Sequence, residues 1–189
     1  MATATDLQSR PPLTVAEFKA LAEEEGWDED DRVELLDGEV IWLSPIGDPH
    51  AGCVNRLTRL FTLRYRDAAL VSPQNPVLLG DYDEPQPDLA LLQPRADYYG
   101  TSTPTPPDIL LLVEVADTTL RTDLGRKARI YAGAGVVEYW VVDLNKSVVY
   151  VHRDPRQGGY ATRQVSSRGG RLMTQFAPDV VLEVGEILP

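Results

Sequence analysis

The stretch from Asp108 to Lys127, DILLLVEVADTTLRTDLGRK, decides how the remaining chain is interpreted. It opens with an apolar run, Ile109 to Val115, broken only by Glu114. Such a run predicts a central strand covered on both faces. A carboxylate there is costly unless something pairs with it. A second acid, Asp88, lies at one end of another short strand signal, QPDLALLQP, and a cation, Lys127, follows in a predicted helix. Two acids and a lysine meeting at a sheet edge have the chemistry of a metal-dependent hydrolase.

The bulk numbers fit one compact domain. The chain has 189 residues, 43% of them hydrophobic, enough for a substantial core. The expected organisation is a flexible N-terminal tail over residues 1–12 and a single domain over 13–189. One cysteine, Cys53, excludes an internal disulfide and suits a reducing cytoplasm. The N-terminus, MATATDLQSRPP, lacks the apolar run of a signal peptide, and no segment has the length of a membrane span. The net charge of -11, from 29 acids against 18 bases, argues against broad attraction to nucleic acid. The excess is uneven. Ala16 to Glu39 holds eleven acids and two bases, whereas Ala116 to Ile130 holds Arg121, Arg126, Lys127 and Arg129 against Asp117 and Asp123. A positive rim on an acidic body is the expectation.

Along the chain, Thr14 and Glu17 form a capping-box signal for a helix from Val15 to Glu25. RVELLDGEVIWLSP reads as a hairpin turning at Asp37-Gly38, with Val33 and Leu35 on one face and Glu34 and Leu36 on the other. His50 to Arg66 has a helical stripe of Val54, Leu57, Leu60, Phe61 and Tyr65. Short strands are expected at Ala69 to Ser72, Pro76 to Leu79 and Asp88 to Leu92. After the central strand, Thr122 is the expected cap of a helix that ends near Gly133. Further strands are expected at Val136 to Val142, Val148 to His152, Tyr160 to Val165 and Val180 to Val184. This order gives an α/β (α+β) domain around one central mixed sheet flanked by helices. There are no repeats and no glycine-rich phosphate loop.

If Asp88–Leu92 and Ile109–Val115 pair as a hairpin centred at Gly100 and Thr101, Asp88 and Glu114 come to lie opposite each other. Opposed residues approach to about 4.5–5.5 Å between Cβ atoms. Carboxylates that close need a proton or a cation between them. Magnesium, or manganese in its place, takes oxygen ligands and keeps waters. Asp88, Glu114 and the carbonyl of Val115 are the candidate metal ligands. Lys127, beside Leu124, Ala128 and Tyr131, can lay its stem along the core and present its ammonium at the sheet edge. Glu34 is a candidate third acid, and His50 a candidate substrate contact. Tyr131 reads chiefly as core, with a phosphate-contacting hydroxyl as the lesser alternative. The competing interpretation pairs Glu114 with a core arginine and leaves Asp88 as a plain strand end. With His50 and His152 the only histidines, a histidine-rich zinc site is excluded. Cys53 reads as core filler.

The segments RVELLDGEVIWLSPIGDPH, QPDLALL and ILLLVEVADTTLRTDLGRKARIYAGAGVVEYWVVDLNKSVVYVHR make the chain resemble the Uma-two family of restriction-endonuclease-like proteins, over roughly residues 12–187. That resemblance implies a PD-(D/E)XK nuclease-like core, with the family's acids at Asp88 and Glu114. The usual lysine two residues after the second acid is Ala116 here, and the resemblance places it instead on the next helix, at Lys127. It also implies roles for Glu34 and His50. The function expected is a magnesium-dependent endonuclease acting on DNA, with Arg121, Arg126 and Arg129 following the phosphate backbone, and with no organic cofactor. A homodimer is the expected assembly. The alternative is a nuclease-like module that binds nucleic acid or protein without cutting.

Overall fold

The computed structural model describes residues 11–28 and 31–189. The expected tail falls largely outside the described residues, and Pro12 already packs against Gly38. Helix α1 spans Val15–Glu25. Its capping box forms as the sequence predicts: the Glu17 N–H donates to Thr14 Oγ1 at 3.2 Å, and the Glu17 carboxylate accepts the Thr14 N–H at 2.8 Å. Val15, Phe18 and Leu21 pack on Leu35 and Val40.

Strands β1 (Val33–Leu36) and β2 (Glu39–Trp42) form a separate two-stranded sheet. Asp37 and Gly38 both have positive φ, 48° and 73°, the conformation that a two-residue hairpin turn requires. A Cβ at residue 38 would lie 2.7 Å from that of Pro12, so glycine is demanded there on two counts. The two faces of β1 differ as expected. Leu35 joins the α1 cluster, and Leu36 joins the core of the main sheet.

Helix α2 (Asp48–Tyr65) leads to β3 (Leu70–Pro73), β4 (Leu89–Leu92) and β5 (Ile109–Ala116). Helix α3 follows in three continuous parts: an α-turn Leu120–Thr122, a π-helical turn Asp123–Lys127 and an α-helical end Ala128–Gly133. Strands β6 (Glu138–Asp143), β7 (Val148–Arg156) and β8 (Gly159–Ser167) complete the main sheet. Its order is β3-β4-β5-β6-β7-β8, and only β5 and β6 run parallel. Helix α3 is the crossover between those two, which is what parallel neighbours need. A small sheet of β9 (Arg171–Leu172) and β10 (Leu182–Glu183), then helix α4 (Val184–Ile187), closes the chain.

The period of two along β5 separates the two cores. Leu111, Val113 and Val115 face Val54, Leu57 and Phe61 of α2, while Leu112 and Ala116 share the other core with Ala128, Ile130 and Tyr131 of α3. Two sequence expectations fail. Pro76 to Leu79 is not a strand, because the N–H groups of Val77, Leu78 and Leu79 go to the carbonyls of Pro85, Pro104 and Asp83 in irregular chain. Thr122 is not the cap of α3; its N–H already bonds to the Thr119 carbonyl inside the first turn. Cys53 is core filler as expected: it is free and buried, and burial pushes its thiol up to about 12.

His152 on β7 stacks on Tyr139, 5.5 Å between ring centroids. Burial, then the charge of Arg163, lowers its imidazole from 6.5 to about 4. Below pH 6.5 the unfolded chain takes a proton that the folded chain refuses, so stability falls as pH drops from 6.5 towards about 4. Unscreened, a shift of that size corresponds to roughly 3 kcal/mol, and solvent screening reduces it to about 1–2 kcal/mol. Urea unfolding of H152F should show an acid loss shallower than that of wild type by about this amount; parallel curves would assign the loss to other groups.

Candidate functional site

The register of β4 on β5 builds the site. Leu89 pairs with Val113, Ala90 with Leu112 and Leu91 with Leu111. One step further along this antiparallel ladder, Asp88 meets Glu114, as the hairpin reading predicts. The Asp88 N–H donates to Glu114 Oε2 at 3.4 Å, and the Val115 N–H donates to Asp88 Oδ2 at 2.8 Å. His50, in the first turn of α2, brings its Nε2 to 2.9 Å from the same Oδ2. Helix and strand thus both orient the Asp88 carboxylate.

Lys127 completes the cluster from α3. Its Nζ lies 3.0 Å from Glu114 Oε1 and 3.0 Å from Glu34 Oε2. All three groups are buried: Glu34 is 1% exposed, Glu114 4% and Lys127 5%. The Tyr131 hydroxyl donates to Glu114 Oε1 at 2.7 Å, and the Gln86 N–H donates to Glu34 Oε2 at 3.2 Å. Glu114 therefore pairs with a lysine, not with a core arginine.

Burial lifts Glu114 well above the usual carboxylate range; Lys127 pulls it back, while Asp88, Asp123 and Glu34 push it up. Burial alone would lower the Lys127 ammonium, but the surrounding acids outweigh it and hold the lysine protonated. Tyr131 is lifted by burial and then by Glu114, so its hydroxyl stays a donor. Asp123 is the acid that the sequence did not single out. It sits buried on the π-turn, and burial raises it to about 6 against the pull of Lys127 and of its Thr119 hydrogen bond. The available signal was its spacing, four residues before Lys127.

Of the remaining candidates, Tyr131 joins the cluster from inside the core and the arginines do not. Tyr131 is fully buried, so its hydroxyl meets Glu114 and not solvent. Arg126 reaches back to the hairpin, donating to Asp37, Glu39 and the Leu36 carbonyl. Arg129 also pairs with Asp37. Arg121 is exposed and lines an open basin with both of these arginines. For Val115, the structure records its N–H at the site; the N–H serves Asp88.

The donor set suits a hard cation to a limited extent. Both strong donors to Asp88 converge on Oδ2, and those to Glu114 converge on Oε1. That leaves one oxygen of each acid with weak demands on it. Among the described residues, no group of three or more His, Cys, Asp and Glu side chains could hold a metal ion. Two acids suffice for magnesium when waters and substrate phosphates fill the other positions.

The fold and this cluster agree with what comparison finds. Residues 15–185 match the Uma2 family, whose description is "Putative restriction endonuclease". The chain belongs to the Uma2 family. A crystal structure from Anabaena variabilis, described as a "putative nuclease belonging to DUF820", is similar to this chain with a TM-score of 0.71 at 17% identity, covering 93% of this chain and 97% of that one. At that identity the likeness speaks for the fold: the Uma2 chain has a restriction-endonuclease-like core, a mixed sheet flanked by helices. No curated protein matches. Among the described residues, no helix of this Uma2 chain is long and apolar enough to cross a membrane.

Removing Lys127 tests the electrostatics. In K127M, Glu34 and Glu114 keep their burial but lose their cation. The loss at neutral pH should be about 3–5 kcal/mol, the usual cost of breaking a buried pair from one side. Without the lysine, Glu114 is raised further, so K127M should recover stability as falling pH protonates it. Urea unfolding at about pH 7.5 and 5.5 reads this; an equal deficit at both would show that Glu114 does not take up a proton between them.

Proposed function

We propose that this Uma2 chain is a metal-dependent endonuclease hydrolysing phosphodiester bonds of DNA. The observation that carries the proposal is the buried meeting of Asp88, Glu114 and Lys127 at the end of the β4–β5 ladder. Packing alone does not call for such a set, since apolar residues of similar volume often serve stability as well or better. Asp88 and Glu114 would hold magnesium or manganese, which when bound supplies Lewis acidity and lowers the pKa of water.

The other groups have roles that follow from their partners. His50 and the Val115 N–H fix the Asp88 carboxylate. Tyr131 and Lys127 fix Glu114 Oε1, and Glu34 steadies the ammonium from the other side. A fixed cation at that point can stabilise charge that develops on phosphoryl oxygens. Arg121, exposed in its basin, would follow the backbone, while Arg126 and Arg129 hold the hairpin. The cytoplasm and a homodimer belong to this proposal as the setting.

A second reading has its own support. Lys127 already bridges Glu34 and Glu114, and no three-ligand group is present among the described residues. Together with a net charge of -11, this favours a nuclease-like module that binds without cutting.

Plasmid nicking with magnesium or manganese separates the two. The wild type should nick DNA, and D88N and E114Q should each lose about a hundredfold or more of that activity, the scale seen when a charge-stabilising group is removed. Equal rates in wild type and variants would dismiss the catalytic assignment. Saturable DNA binding without metal-dependent nicking would instead establish the second reading.

A further inference from the structure

The long connection between β4 and β5 carries a feature that the proposed chemistry does not use. Tyr98 stands 74% exposed at its crest, and both Tyr98 and Tyr99 have positive φ, 51° and 61°. Bulky residues seldom adopt that conformation, and where they do the surroundings must enforce it. Here they do. Arg95 is bonded to Asp97 and to Ser102 Oγ, and it lies over the Tyr99 ring at 4.3 Å. Thr101 Oγ1 donates to Asp97, and the Tyr99 hydroxyl donates to the Gln93 carbonyl. The loop is braced, and it presents a bare aromatic ring on a fixed base.

Tyr98 also borders two cavities. The larger, about 470 Å³, is lined by hydroxyl and amide groups of Ser72, Asn75, Thr101, Ser102 and Thr103, and no carboxylate lines it. The smaller, about 270 Å³, has Arg66 and Arg95 on its wall with a single acid, Asp67. On a chain with a net charge of -11, the acid-free lining of the larger cavity adds no local repulsion to a polyanion, and Arg66 at the smaller one offers a cation. One wall of the larger cavity is tied to the candidate site through the backbone. Ser72 and Asn75 flank Gln74, whose N–H donates to the Asp88 carbonyl at 3.1 Å and whose own carbonyl accepts from Gln86 Nε2 at 2.8 Å.

From this arrangement we infer that the groove beside β3 is a subsite for single-stranded nucleic acid, with an unpaired base stacked on Tyr98. The hydroxyl and amide groups of the larger cavity meet base edges or sugar, and Arg66 takes the adjoining phosphate. An exposed ring on a rigid loop loses little freedom when a base stacks on it, and every base has a face to offer. The inference rests on the nuclease-class reading and adds to it an affinity for unpaired stretches of the nucleic acid. A continuous duplex keeps its bases stacked and offers none to Tyr98.

Fluorescence anisotropy tests it with the full chain at low salt and with chelator, using single-stranded DNA, single-stranded RNA of the same sequence, and duplex DNA. The wild type should prefer a single strand, and the tighter of the two names the sugar. Y98N removes the ring while asparagine tolerates the positive φ; it should weaken single-strand binding about tenfold, a typical loss for one stacked base. Y98F should bind like wild type. A duplex preference, Y98N binding at wild-type strength, or Y98F falling with Y98N would each overturn the inference. Metal-dependent nicking is scored separately. An enzyme that cuts while its single-strand binding ignores Tyr98 loses this subsite and keeps the nuclease reading; one that binds through Tyr98 and never cuts does the reverse.

Discussion

One buried ammonium shared by two glutamates holds this molecule's layers in register. Lys127 belongs to helix α3, Glu114 to the central strand and Glu34 to the hairpin, and the three meet at 3.0 Å separations. Desolvation offsets most of the attraction in such an arrangement. Its effect is geometric. Three elements that pack through apolar surface, which is tolerant of sliding, are pinned at a single point by charge, which is not.

That pin explains why the neighbouring groups are so closely placed. Glu114 accepts Lys127 and Tyr131 on one oxygen, and the Asp88 N–H reaches the other. Asp88 in turn is held by a backbone N–H and a histidine. Each acid is restrained on one side, so its remaining oxygen has a defined position without a strong internal partner. Preorganisation of this kind is what a charge-handling site requires. The π-turn contributes as well: Asp123 and Lys127 bound it, and its extra residue sets where both enter the core.

Much of this was legible in the sequence because it follows from local rules. Thr14 and Glu17 form their capping box, Asp37-Gly38 forms its turn, and a lone Glu114 in an apolar strand finds a buried cation. The opposition of Asp88 and Glu114 came from symmetric spacing about Gly100 and Thr101, which survives although the intervening connection is long and irregular. Other features depend on contacts that span the fold. Nothing local to Arg126 announces that it will bond Asp37, Glu39 and Leu36, some ninety residues away. Asp123 carried only its spacing of four from Lys127, and nothing local announces that its carboxylate is buried. Pro76 to Leu79 looked like a strand because burial of Val77 and Leu79 produces alternation without a ladder.

The hairpin has a consequence of its own. Glu34 arrives on a two-stranded sheet that joins the body through the Leu35–Glu84 bridge, the Gly38 N–H on the Tyr82 carbonyl, the Asp37 N–H on Asp83, the burial of Leu36 in the core of the main sheet, and the arginines of α3. Lifting the hairpin would strip Lys127 of one of its two anions and would also draw Leu36 out of the core it shares with Ala90 and Leu112 of the six-stranded sheet. The balance of charge around Glu114 is thereby tied to the seating of the hairpin that carries Glu34.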